Sequence, residues 1–64
     1  MSDNILVANV YDAAGSSIVL CGMSIENLAE RLAEFQEPAL RAAVYDAHGF
    51  VRGWIYGDGS WRTT

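Results

Sequence analysis

The chain has 64 residues and a mass of 7.0 kDa, room for one domain spanning 1–64 but not for a second core. Apolar residues make up 52% and charged residues 19%, which argues for a folded chain over a disordered one. Eight acids stand against four bases, all arginine (Arg31, Arg41, Arg52, Arg62), and the net charge of −4 excludes a duplex binder that works by neutralising phosphates. One cysteine, Cys21, and one histidine, His48, exclude an internal disulfide and a self-contained Cys/His zinc site. No metal or cofactor is expected, and a reducing cytoplasm is the expected location. No apolar run approaches the roughly 20 residues of a membrane span. Met1-Ser2-Asp3-Asn4 also lacks the basic start of a secretion signal.

An internal repeat organises the chain. Leu6-Val7-Ala8-Asn9-Val10-Tyr11-Asp12-Ala13-Ala14-Gly15 aligns with Leu40-Arg41-Ala42-Ala43-Val44-Tyr45-Asp46-Ala47-His48-Gly49 at an offset of 34, with seven of ten positions identical. Two units are too few for a repeat array, so the repeat reads as one hairpin design used twice. In each copy a strand leads into Asp-Ala-x-Gly. There the Asp side chain bonds the backbone, and Gly takes a positive φ in a bulged hairpin. Leu6, Ala8, Val10 and Leu40, Ala42, Val44 alternate with other residues and should share one sheet face, with Tyr11 and Tyr45 on the other.

The returning strands are Ser17–Gly22 and 50–56, and Gly57-Asp58-Gly59 signals a turn before a short last strand at 60–62. Between the hairpins Ser24 is a good helix N-cap, Met23 and Leu28 sit at staple positions, and Glu26 lies in the first turn near the positive end of the helix dipole. The helix ends before Pro38. At about 100° per residue, Ile25, Leu28, Leu32 and Phe35 gather on one side, and Glu26, Glu30, Glu34 and Glu37 nearly opposite. The expected fold is α+β: a ββαββ(β) antiparallel sheet in the order 2-1-3-4-5, with one helix packed on one face and the other face open.

Catalytic constellations are weak. Cys21 and His48 would suit a nucleophile and base, but the cysteine reads as a small strand residue and the histidine occupies a permissive loop position. Asp12 and Asp46 would suit a divalent cation or a shared proton, yet each has a local duty in its turn, and the topology places them at opposite ends of the sheet. Gly57-Asp58-Gly59 follows no strand-to-helix transition and lacks a Walker lysine. A non-enzymatic role is expected.

Two surfaces are candidates for partner binding. Tyr11, Tyr45, Trp54 and Tyr56, with Arg41 and Arg52, should project from the sheet face away from the helix, and these residue types dominate interface hot spots. The competing role is burial, with loop residues or Trp61 folded over that face. Glu26, Glu30 and Glu34 form a stripe of like charges at i, i+4 spacing, either a solvated face or an acidic patch for a basic partner.

Taken together, Met23-Ser24-Ile25-Glu26-Asn27-Leu28-Ala29, residues 40–49 and Gly53-Trp54-Ile55-Tyr56-Gly57-Asp58-Gly59-Ser60-Trp61 resemble, over 18–62, the small one-helix, curled-sheet proteins that bacteriophages encode to disable host machinery. In layout the chain is most similar to some anti-CRISPR proteins. The resemblance implies a non-enzymatic inhibitor that occupies a surface of a bacterial complex, such as a nucleic-acid-handling CRISPR effector, in the cytoplasm of a bacterial host cell; the acidic balance argues against direct contact with nucleic acid, and the negative helix stripe against anionic membranes. Members of that group can be basic whereas this chain is acidic, which leaves the target face open between sheet and helix. The alternatives are a homodimeric structural module and, third, a single-stranded nucleic-acid binder on the aromatic face.

Overall fold

A computed structural model describes residues 5–64; the Met1-Ser2-Asp3-Asn4 stretch, read above for a secretion signal, lies outside the described residues. The elements are β1 (Leu6–Tyr11), β2 (Ser17–Gly22), α1 (Ile25–Ala33), β3 (Arg41–Tyr45), β4 (Val51–Tyr56) and β5 (Trp61–Thr63). The strands form one sheet in the order β2-β1-β3-β4-β5, and every neighbouring pair is antiparallel. This is the expected α+β architecture with its fifth strand.

Three hairpin turns share one hydrogen-bond plan. Asp12, Asp46 and Tyr56 each donate an N–H to the carbonyl four residues on, at Ser16, Phe50 and Ser60. Each also accepts, at its own carbonyl, from the glycine three residues on. Those glycines, Gly15, Gly49 and Gly59, have φ of 87°, 87° and 92°, a region in which a side chain crowds its own backbone. In the two repeat copies the Asp carboxylate secures the turn as well: Oδ1 of Asp12 accepts from Ala14 and Ser16, and Oδ1 of Asp46 from His48 and Phe50. The third turn has Tyr56 at that place, and Asp58 takes over by accepting from the Ser60 amide and hydroxyl.

The helix begins where the Ser24 hydroxyl accepts the Asn27 N–H at 3.0 Å. It lies over β4 and β2 and reaches β5. Leu28, Ala29 and Leu32 are buried beneath it against Ala8, Val10, Ala42, Val44 and Ile55, with Leu40 closing one end. Small residues in the middle of the sheet let the helix come close: a Cβ on Gly53 would stand 2.8 Å from Ile25 Cδ1 and 2.2 Å from the Arg62 carbonyl.

One expectation fails at the helix end. Phe35 lies beyond the C-cap residue Glu34 and is 47% exposed, so it flanks the core instead of filling it. Ala29 takes the fourth buried-side position beside Ile25, Leu28 and Leu32. The chain leaves the helix through Gln36 at φ 59°, a left-handed residue of the kind that ends many helices, though most often as glycine.

Candidate functional site

Side chains alternate across a pleated strand, so the observed registers determine what the sheet face away from the helix displays. Three rows cross it. Ser17, Tyr11, Arg41 and Tyr56 form the first; Val19, Asn9, Ala43, Trp54 and Arg62 the second; Cys21, Val7, Tyr45 and Val51 the third. Arg41 therefore stands between two tyrosines, and Arg62 stands opposite Trp54. Tyr11 is 48% exposed, Trp54 41% and Val19 61%, while Tyr45 and Tyr56 are half-buried.

Charge divides sharply between the strands and the segments that connect them. No residue of the five strands is acidic, whereas three of the four arginines, Arg41, Arg52 and Arg62, are strand residues. Glu26 and Glu30 lie on the exposed helix surface, Glu34 caps its end, and Asp12, Asp46 and Asp58 are turn residues. The fold thus brings Tyr11, Tyr45, Trp54 and Tyr56 together on one side and holds Glu26, Glu30 and Glu34 on the other. A single flat partner cannot touch both sets.

Trp61 does not cover the aromatic face. It pairs with Ile55, whose side chain is in the core, so Trp61 lies on the helix side of edge strand β5 at 45% exposure. Arg62, which sequence reading left out of the site, takes the place on the open face. Its signal was present in the turn: closure at Tyr56–Ser60 counts back to Ile55–Trp61 and Trp54–Arg62.

Arg52 departs from the expected arrangement. The ladder pairs Val44 with Gly53 but Tyr45 with Val51, so Arg52 is the extra residue of a β-bulge, and bulges re-aim side chains. Its guanidinium lies 3.5 Å from Oδ2 of Asp46. It also lines, with Ser24, Glu26, His48 and Thr64, an open cleft of about 620 Å³ beside the helix start. Asp46 is held below the ordinary carboxylate range mainly by the Phe50 N–H, opposed by partial burial, with His48 and Arg52 assisting. Arg52 is a tie for the β3–β4 turn.

The remaining candidates are dispersed. Cys21 is exposed on β2, and β1 separates it from the strand that leads to His48, about 10 Å at the usual strand spacing. The turns of Asp12 and Asp46 lie at opposite ends of the sheet. Among the described residues no group of three or more His, Cys, Asp or Glu side chains is placed to hold a metal ion. Among the described residues no helix is long and apolar enough to cross a membrane. A scan against protein-family models and searches of curated proteins and of solved structures return no match for this chain.

Proposed function

We propose that this chain is a non-enzymatic binding protein that attaches to a larger bacterial complex through its open sheet face, the type of role implied by its resemblance to phage-encoded inhibitors. One observation carries the reading: Tyr11, Tyr45, Trp54 and Tyr56 share with Arg41 and Arg62 a face whose strands hold no acid, on a chain of net charge −4. Aromatic and arginine side chains supply large contact areas at low entropy cost, and arginine pairs with carboxylates in a planar fork. The partner surface is therefore apolar at its centre and acidic at its margin. CRISPR effector complexes are the first candidates to test.

The experiment is capture from nuclease-treated bacterial lysate containing such complexes, using the wild type, Trp54→Ala, Arg41→Glu and a triple reversal of Glu26, Glu30 and Glu34 to Lys. Saturable recovery of one complex by the wild type and the triple variant, with loss in Trp54→Ala and Arg41→Glu at unchanged circular dichroism, supports the sheet face. Loss only in the triple variant transfers the contact to the helix.

The acid-free face also favours a second reading, a single strand of nucleic acid stacked on Trp54 and the tyrosines. It predicts oligonucleotide quenching of tryptophan fluorescence that weakens steeply with salt. Absence of quenching at low salt rules it out.

A further inference from the structure

We infer that β2 is a self-pairing edge, and that two copies of this chain join β2 to β2, antiparallel, about a two-fold axis through Val19. The inference stands apart from the proposed use of the open face, which such a joint leaves uncovered.

The two edges of the sheet are unlike. β5 is three residues long and carries Arg62, while β2 is six residues long, Ser17-Ile18-Val19-Leu20-Cys21-Gly22, with no charge, no proline and no irregularity in its pairing with β1. Ile18 is 47% and Val19 61% exposed. Natural sheets ordinarily blunt an edge with charges, proline, bulges, brevity or cover from a helix; the β2 strand itself has none of the first four, and the helix reaches its outward side through Arg31 at the Cys21 carbonyl. Among the described residues no strand pairs with its outer side.

The backbone pattern sets the register in which a second copy would pair. Asp12 N–H bonds the Ser16 carbonyl, and antiparallel ladders alternate, so Ile18 and Leu20 bond inward to β1 while Ser17, Val19 and Cys21 aim their N–H and C=O groups outward. These outward groups are symmetric about Val19. A second β2 about that axis sets Val19 against Val19, Ser17 against Cys21 and Ile18 against Leu20, so every outward donor meets an acceptor and the two most exposed aliphatic residues of the strand are covered.

Electrostatics permits this joint despite the net charge. Gly22 lies beneath Asn27 and Leu28, and the Arg31 guanidinium donates to the Cys21 carbonyl, so the helix flank above β2 carries Asn27 and Arg31. Glu26 and Glu30 fall on the other flank, toward β5, at about 100° per residue. Arg31 now occupies one outward carbonyl, and as an exposed, flexible side chain it swings aside when the second strand supplies the Ser17 N–H. The two Arg31 contacts lie four residues apart along the joint, about 14 Å, too far for strong repulsion.

The test is sedimentation velocity at micromolar concentration, which should give the two-chain mass for the wild type. Val19→Pro removes an outward N–H that β1 does not use, so it should give the one-chain mass with an unchanged circular dichroism spectrum. Should that variant not fold, Val19→Lys serves the same purpose. Ser17→Cys adds a check of register: facing Cys21 of the second copy at about 5.5 Å between Cα atoms, it should form a covalent dimer on oxidation by dissolved oxygen. The wild type should not, because its two Cys21 residues lie about 14 Å apart. A one-chain mass for the wild type, a dimer that persists in the Val19 variants, or a dimer in which Ser17→Cys does not cross-link overturns the inference.

Discussion

Arg62 and Trp54 occupy directly opposite positions across β5 and β4, on the sheet face that the helix leaves open. A guanidinium beside an indole at a partly exposed site is worth about 0.5–1 kcal/mol. A double-mutant cycle with Arg62→Ala and Trp54→Ala, followed by urea unfolding, should return a coupling of about that size. A value of zero means that the pair shares a row without sharing energy. Arg62 would then be wholly available to a partner.

The last loop tests the packing above the sheet. Gly57 N–H donates to the Leu40 carbonyl at 2.7 Å, and a Cβ on Gly57 would stand 2.0 Å from the Glu37 carbonyl oxygen. Backbone cannot retreat from such a contact without opening the joint between the helix exit and β4. Gly57→Ala should therefore cost about 3 kcal/mol or more, a large share of the stability of so small a domain, read as a fall in the urea midpoint.

At the helix exit the change should go the other way. Gln36 holds φ 59°, where a side chain is strained and glycine is not. Gln36→Gly should stabilise the fold by about 0.5–1 kcal/mol net of the extra freedom that glycine gives the unfolded chain. Thermal unfolding followed by circular dichroism reads the rise in Tm.

Acid should loosen the turns that Asp46 and Asp58 secure. Asp46 is held below its ordinary value, chiefly by the Phe50 N–H, and Asp58 chiefly by the Ser60 hydroxyl. A carboxylate with a depressed folded-state pKa adds stability above its unfolded value of about 3.9, and that stability is lost as pH falls through the folded value. Urea midpoints should accordingly drop below about pH 4, with a smaller drop in Asp46→Asn, whose side chain no longer titrates. Equal slopes in the variant and the wild type contradict a role for Asp46 in the acid limb.

Much of this architecture is legible in the sequence because local chemistry and alternation agree. The repeated Asp-Ala-x-Gly turns set two hairpins, Ser24 starts the helix, and the parity of Leu6, Ala8, Val10 and of Ala42, Val44 assigns the faces. What escaped depends on where elements end and how strands pair. The bulge that re-aims Arg52 is a mismatch between two strands, invisible in either alone. Phe35 continues the helical spacing although the helix has already ended at Ala33. Whether Trp61 folds over the open face or joins the helix side turns on one residue of register in β5, which the Tyr56–Ser60 closure decides.

The most direct test of the open face as the docking surface uses the Trp61→Phe protein, in which Trp54 is the sole tryptophan. Acrylamide quenching is measured on the free protein and again with the captured complex at saturation. Docking through the open face predicts a readily quenched Trp54 in the free protein and several-fold weaker quenching in the bound one. Equal quenching in both states contradicts it.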